Sequence, residues 1–551
     1  MRLHIILFFC IQLLKLTDAA VIANVENKEL PVIEIVGSKF FDSSNGEQFY
    51  MKGIAYQPSR SIEMLESAVD TFETKYIDPL ADPIICLRDI PYLKKLNINT
   101  IRVYTIDPTQ SHDVCMQALS NEGIYVLLDL AEPDVSINRD TPTWDVNIWK
   151  RYCDVIDSMH QYSNLLGFFA GNEVTNDITN TDASPFVKAA IRDVKKYIQA
   201  KGYRSIPVGY SSNDDADTRD NLAEYFACGE YAADFYGINM YEWCGYSSYG
   251  TSGYKERTKE FEGYPIPVFF SEFGCNLIRP RPFTEVSALF GAKMSSVWSG
   301  GLAYMYFEEE NEYGIVKVDE ELGVTELEDF KYLQKEFGMA SPKGVKKEDY
   351  INSNAFKKLQ QLETCPQPQY MMNWHATNNI PPAPDVKKCS CLENVLPCLV
   401  LPFENAEKEK EYFNYVCGQV DCSDIKANGE YGEYGEFSSC SSNQKLALQI
   451  SKLYNKLGKN VNECPISDRN VYFNIKSQRK SLQTGKCSDV TLQTIKNAII
   501  TKPKNIVQEP VKEEATKETP YRRTSGADNN SLTYSGCLLL VFSIFVMTLV
   551  L

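Results

Sequence analysis

The sequence predicts an α/β fold in two unequal parts, a (β/α)8 barrel followed by a small, disulfide-rich and partly helical module. Three observations predict it. From about residue 33 to 335, eight short β-rich runs alternate with longer helical stretches, the pattern of a parallel sheet with crossover helices. No glycine-rich phosphate loop follows the first run, which disfavours an open doubly wound sheet. Farther on, eight cysteines crowd between Cys389 and Cys487.

The strand candidates are Phe49–Tyr56, Thr100–Thr105, Gly123–Leu130, Leu165–Gly171, Ser205–Tyr210, Phe235–Tyr241, Pro267–Ser271 and Gly301–Phe307. Eight strands over about 300 residues match a barrel whose active site lies at the C-terminal ends of the strands. Residues 24–339 form that domain. Residues 340–388 are rich in proline (Pro366, Pro368, Pro381, Pro382, Pro384) and read as an irregular linker packed on the barrel, with Cys365 available to staple it. Residues 389–489 form the cysteine-rich module, in which Leu446, Leu448, Ile450, Leu453, Tyr454 and Leu457 give a helical period over Ser442–Leu457. Residues 490–526, rich in Lys, Glu, Thr and Pro, bury too little apolar surface to fold and read as a stalk.

Both ends carry processing signals. Residues 1–20 run from Arg2 through the apolar stretch Ile5–Leu14 to Thr17, Asp18, Ala19 and Ala20, a secretory signal with cleavage expected near Ala19 or Ala23. Residues 527–551 combine a polar spacer with an apolar tail, Cys537–Leu551, that is shorter than the roughly 20 residues of a spanning helix. Behind the small residues Ser525, Gly526 and Ala527, this order is a GPI-anchor signal, with Ser525, Gly526 or Asn529 as attachment site. A transmembrane anchor is the alternative reading.

The 17 cysteines fit an exported chain, in which disulfides persist. Fifteen remain once Cys10 and Cys537 leave with the two signals. A zinc reading of Cys389 and Cys391 is weak, because one intervening residue is an unusual ligand spacing. No metal or organic cofactor is implied. A net charge of −17 argues against nucleic acid or anionic lipid as a partner bound by bulk electrostatics. A neutral polymer stays open as partner.

Polar and aromatic residues gather at the predicted strand ends: Tyr104 to Asp107, Asp129 to Glu132, Asn172 and Glu173, Asn239 to Trp243, Glu272, and Tyr304 to Glu310. Any one of them alone reads as a solvated loop residue. Glu173 and Glu272, at the ends of the fourth and seventh strands, together supply what glycosidic cleavage needs: an acid on one side of the bond and a carboxylate on the other. An asparagine immediately before the acid, here Asn172, suits the sugar 2-hydroxyl.

These residues resemble the fungal β-1,3-glucanosyltransferases of glycoside hydrolase family 72, the Gas/Gel/Phr group. The likeness rests on Met51 to Gln57, Asn99 to Tyr104, Gly171 to Val174, Tyr236 to Gly245, Ser271 to Cys275 and Gly301 to Phe307. The module, with Tyr431 to Gly435 before Cys440, resembles the X8 domain, or carbohydrate-binding module family 43. The resemblance implies a retaining β-1,3-glucan transglycosylase with Glu173 as acid/base and Glu272 as nucleophile, their carboxyls about 5 to 5.5 Å apart. The enzyme would join the new reducing end of a cut donor chain to the non-reducing end of an acceptor chain. Tyr104, Tyr241 and Tyr304 coincide with pocket tyrosines; Tyr56, Gln57, Asp129 and Tyr313 are further sugar-binding candidates, with Asp129 alternatively holding a neighbouring side chain.

The same likeness implies bridges Cys86–Cys115, Cys228–Cys365 and Cys244–Cys275, and four within Cys389, Cys391, Cys398, Cys417, Cys422, Cys440, Cys464 and Cys487. It leaves Cys153 as a buried free thiol on the helix after the third strand. It implies a monomer at the outer face of the plasma membrane and in the cell wall. A retaining β-1,3-glucan hydrolase using the same glutamates and a non-catalytic glucan-binding wall protein are the rival readings.

Overall fold

The computed structural model describes residues 28–59, 76–359, 362–369, 372–458 and 463–478. The signal segment, Cys487, the stalk, the three attachment candidates and the apolar tail lie outside them.

Eight parallel strands close into a barrel: β1 (Met51–Ala55), β2 (Thr100–Val103), β3 (Tyr125–Asp129), β4 (Leu165–Asn172), β5 (Val208–Asn213), β6 (Tyr236–Cys244), β7 (Val268–Cys275) and β8 (Trp298–Ala303). Each run predicted from sequence overlaps one of them; β1, β2 and β3 fall inside their runs, β4 to β7 extend past the predicted ends, and β8 starts three residues before its run. β8 pairs with both β7 and β1, so no edge is left open. Helices α1 (Pro83–Lys95), α2 (Asp113–Asn121), α3 (Val146–Met159), α4 (Ser184–Ala200), α5 (Arg219–Ala227), α6 (Tyr254–Glu260), α7 (Glu285–Leu289) and α8 (Glu328–Met339) follow the strands in turn. α1 and α3 start where Asp82 and Asp145 accept bonds from the exposed amides of the first turn.

The barrel interior changes character from bottom to top. At the bottom, a three-stranded antiparallel sheet (Ile33–Val36, Lys39–Asp42, Gln48–Phe49) plugs the opening. Its Phe40 meets the inward rings of Phe235 and Phe269 at 6.3 and 6.2 Å. Phe169 completes that layer, 5.2 Å from Phe235. Gly209 on β5 is required here, because a Cβ at that position would overlap the Phe235 ring. Above the aromatic layer the lining turns polar, and there the site is built.

Three disulfides fasten the barrel, Cys86–Cys115, Cys228–Cys365 and Cys244–Cys275. The module contains Cys389–Cys440, Cys398–Cys464 and Cys417–Cys422. Cys391 is also disulfide-bonded. Cys153 is a free thiol on α3, half-buried where the sequence suggested full burial, and burial pushes it up to about 12. The module's central helix runs Ser442–Lys456 and opens on a capping box of Ser441 and Gln444. The segment after α8 is less irregular than its prolines suggest. Short helices Lys347–Asn352 and Asn354–Lys357 form before them, the second started by the Ser353 hydroxyl.

Module and barrel pack together. The Val146 amide at the start of α3 donates to the Ser439 carbonyl at 3.0 Å, and the Val146 side chain joins the module's apolar core. Phe186 on α4 meets Tyr434 edge to face at 5.9 Å.

Because Phe40 is fully buried against the barrel's aromatic layer, Phe40→Ala should cost about 3–5 kcal/mol of barrel stability in denaturant titration. A loss below about 1 kcal/mol would show that the N-terminal sheet is not part of the core.

Candidate active site

The polar layer is organised by Arg102, inward on β2 and fully buried. Its Nε and Nη2 donate to the two oxygens of Asp129 at 3.0 and 2.9 Å. Nη2 also reaches Asn172 Oδ1 at 3.0 Å. Nη1 turns to Glu272 Oε1 at 3.3 Å. The guanidinium lies between the rings of Tyr104 and Phe169, 4.4 Å from each centroid.

Glu272 is 8% exposed and is held by oriented donors. Tyr104 donates to its Oε1 and Tyr241 to its Oε2, both at 2.8 Å. Glu173, half-buried at the end of β4, accepts from Asn239 Nδ2 at 2.8 Å, and the same amide reaches Asn172 Oδ1 at 3.3 Å. A continuous polar chain therefore joins the two glutamates through Asn239, Asn172 and Arg102. Ser211 and Ser271 close it from below, their hydroxyls 2.9 Å apart and both on Asn239 Oδ1.

Both glutamates reach the cleft by breaking the strand's two-residue alternation. Ser271 and Glu272 are consecutive, yet both face inward. The β6–β7 register shifts between Phe270 and Glu272 to allow it. Asn172 and Glu173 do the same across a shift in the β4–β5 pairing. Glu173 adopts a left-handed φ of 47°, which costs a non-glycine residue about 1–3 kcal/mol.

Half-buried tyrosines wall the cleft. Tyr304 meets Tyr104 at 6.4 Å and Tyr313 at 5.4 Å, and Tyr313 meets Tyr241 at 5.8 Å, all edge to face. Beneath them Arg281, paired with buried Asp329 at 2.6 Å, donates to the Tyr304 carbonyl at 2.6 Å and to that of Tyr313 at 2.5 Å.

The structure thus gathers Tyr104, Asn172, Glu173, Tyr241, Glu272, Tyr304 and Tyr313 at one end of the barrel. Three other sugar-binding candidates have their polar groups taken up by the protein itself. Tyr56 is 1% exposed, its hydroxyl on Asp89 at 2.9 Å and its ring against Phe307, so it has no face for a ligand. The Gln57 amide is spent on backbone: Oε1 accepts from Tyr104 and Thr105 amides at 3.1 Å, and Nε2 donates to Ile77. Asp129 has both oxygens on Arg102, which makes it the holder of a neighbouring side chain. Arg102 and Asn239 stand within motifs quoted from the sequence, but no site role was read for them. Their signal is a polar side chain in the middle of a buried β-run, between Ile101 and Val103 and between Ile238 and Met240.

A closed parallel barrel with two linked glutamates and a tyrosine wall at its C-terminal face defines a carbohydrate-active barrel enzyme. The family model described as glucanosyltransferase matches residues 22–341, and that of the X8 domain matches residues 396–471. The chain belongs to the glucanosyltransferases of glycoside hydrolase family 72. It is 61% identical over 485 residues to 1,3-beta-glucanosyltransferase GAS2 of Saccharomyces cerevisiae, covering 88% of this chain and 86% of that one. It is 49% identical to pH-responsive protein 2 of Candida albicans, over 82% of this chain and 80% of that one. The apostructure of S. cerevisiae Gas2p superposes with a TM-score of 0.82 at 62% identity, covering 87% of this chain and 100% of that one. Gas2p in complex with laminaritetraose and laminaripentaose gives 0.77 at 62% identity, over 85% and 99% of the two chains.

Burial pushes the Glu272 carboxyl up to about 7; Arg102 and the two tyrosine hydroxyls oppose the rise, and Glu173 adds to it. The folded carboxyl therefore keeps its proton to higher pH than the unfolded one, so ionising it costs stability. Relative to Glu272→Gln, the wild type should lose stability as pH rises from about 4.5 to about 7, by about 3 kcal/mol at most, and the gap should stay constant above that. Paired denaturation curves across this range check it; a pH-independent gap would mean that Glu272 is not destabilised by burial.

Proposed function

We propose that this chain is a retaining β-1,3-glucan transglycosylase that elongates glucan chains in fungal cell-wall assembly, with Glu272 as nucleophile and Glu173 as acid/base. One observation carries the assignment of roles. Glu272 is gripped by three donors, Tyr104, Tyr241 and Arg102, which fix its direction and oppose, without cancelling, the rise that burial causes. Glu173 receives a single neutral amide from Asn239 and is the more exposed of the pair, as a proton carrier between leaving group and acceptor needs to be.

In the first step a Glu272 oxygen bonds to the anomeric carbon of an internal glucose. The bond to the bridging oxygen breaks, and that oxygen leaves with the Glu173 proton. In the second step the 3-hydroxyl at the non-reducing end of another glucan attacks the same carbon. Its proton passes to Glu173 and the Glu272 ester bond breaks. Two inversions give the β-linkage, and a carboxyl separation of about 5 to 5.5 Å belongs to this scheme. Tyr104, Tyr241, Tyr304 and Tyr313 offer apolar ring faces that favour an acceptor sugar over water, and Asn172 is placed for the 2-hydroxyl of the glucose attacked.

The reading extends to place. The tail from Cys537 to Leu551 and the small residues Ser525 and Gly526 support GPI attachment to the outer face of the plasma membrane, where a monomeric enzyme would have glucan donors and acceptors as its partners. Phosphoinositide-specific lipase should then release the mature protein, which should lack residues 537 to 551 by intact mass. Detection of those residues would favour a transmembrane anchor.

Incubation with a reduced laminari-oligosaccharide, followed by sizing, tests the activity itself. Products longer than the substrate are expected, and both Glu173→Ala and Glu272→Ala should abolish them, each lowering turnover by at least about 100-fold. Shorter products alone would make the enzyme a hydrolase.

A further inference from the structure

Glu173 is the one candidate catalytic residue held in a left-handed backbone conformation. That conformation is strained for a residue with a Cβ, so a main chain left unrestrained would relax and swing the carboxyl out of the cleft. Three bonds oppose this. The Glu173 amide donates to the Ser211 carbonyl on β5 at 2.8 Å. Its carboxylate takes the Asn239 amide. Its carbonyl accepts from Nη2 of Arg139 at 2.7 Å, the shortest of the three.

Arg139 lies on the loop between β3 and α3, half-buried and outside every motif read from the sequence. Glu173 opens the loop between β4 and α4. Their bond therefore ties two neighbouring loops of the barrel's upper face, and it is charge-assisted, which makes it stronger than a bond between neutral groups. Arg139 acts on the peptide of Glu173, not on its carboxyl, and Glu272 is built by a separate set of donors on β2 and β6.

We propose that Arg139 is a positioning residue for proton transfer, holding Glu173 in its left-handed conformation so that the carboxyl meets the leaving oxygen and then the acceptor hydroxyl. The proposal rests on the acid/base reading of Glu173. Nucleophilic attack does not depend on Arg139; protonation of the leaving group and deprotonation of the acceptor do.

The distinction can be measured by comparing two donors. On a laminari-oligosaccharide, whose leaving group needs a proton, Arg139→Met should lower kcat about 10- to 100-fold, with KM within about twofold. On a dinitrophenyl β-laminari-oligosaccharide, whose leaving group needs none, the first-turnover burst should keep wild-type amplitude and a rate within about threefold. Later turnovers should be slow, because the acceptor lacks its base, and added azide should accelerate them. Arg139→Lys, which retains a charged donor, should recover most of the loss. Burst amplitude counts correctly folded sites, and Arg139→Gln is read in the same way should the methionine variant fold poorly. Equal loss on both donors, or no loss on the oligosaccharide, would overturn the proposal. Glu173→Ala run in parallel separates the two readings. If that variant shows no difference between donors, the role of Glu173 is wrong; if it shows the difference and the Arg139 variants do not, only the role of Arg139 is wrong.

Discussion

The Arg102 guanidinium has no route to water, and a buried cation without partners costs several kcal/mol. The top of the barrel is arranged to prevent that cost. Asp129 satisfies two of its nitrogens in a fork, Asn172 takes a further bond, and two aromatic rings cover its faces. The remaining nitrogen points at Glu272. One satisfied cation thus fixes the direction of that carboxylate, the position of Asn172 beside Glu173, and the tilt of the Tyr104 ring. Each of these belongs to a different strand, so the barrel must close correctly before any of them is in place. The apolar layer beneath, with Phe40 as its plug, makes closure favourable and keeps water from entering below.

Glu272 shows what this arrangement costs. A carboxylate withheld from water is a poor ion and, for the same reason, a strong nucleophile. Its three donors compensate enough to hold it, and not enough to cancel the burial. Strain at Glu173 belongs to the same pattern, in which stability is given up at positions the chemistry uses.

Much of this was legible in the sequence. The strands could be counted because each is a short apolar run bounded by turns, and the two glutamates stood out because each ends such a run with a carboxylate. The roles of Tyr56 and Gln57 were not legible, and for Asp129 only the alternative reading, a holder of a neighbouring side chain, matches its bonds to Arg102; alternation fixes which way a residue points only while the ladder is regular. Register shifts before Asn172 and before Glu272 put consecutive residues on one face, and nothing in the local sequence announces them. Arg102 was equally hidden. A charged residue within a buried strand shows that something unusual is there, but its partners come from four other strands. Burial of Cys153 was overestimated because its helix lies on the outside of the barrel, where one face meets solvent. The module's cysteines announced a separate unit; its docking on the first turns of α3 and α4, beside the loop that begins at Glu173, depends on contacts such as Val146 with Ser439 that carry no sequence signal.

The central claim is that Glu272 forms a covalent bond to the sugar. The most direct measurement is peptide mapping by mass spectrometry of enzyme quenched during turnover of an activated β-1,3-glucan donor. The account predicts a glycosyl adduct on Glu272 and on no other carboxylate. Full turnover with Glu272 unlabelled, or an adduct on Glu173, would contradict it.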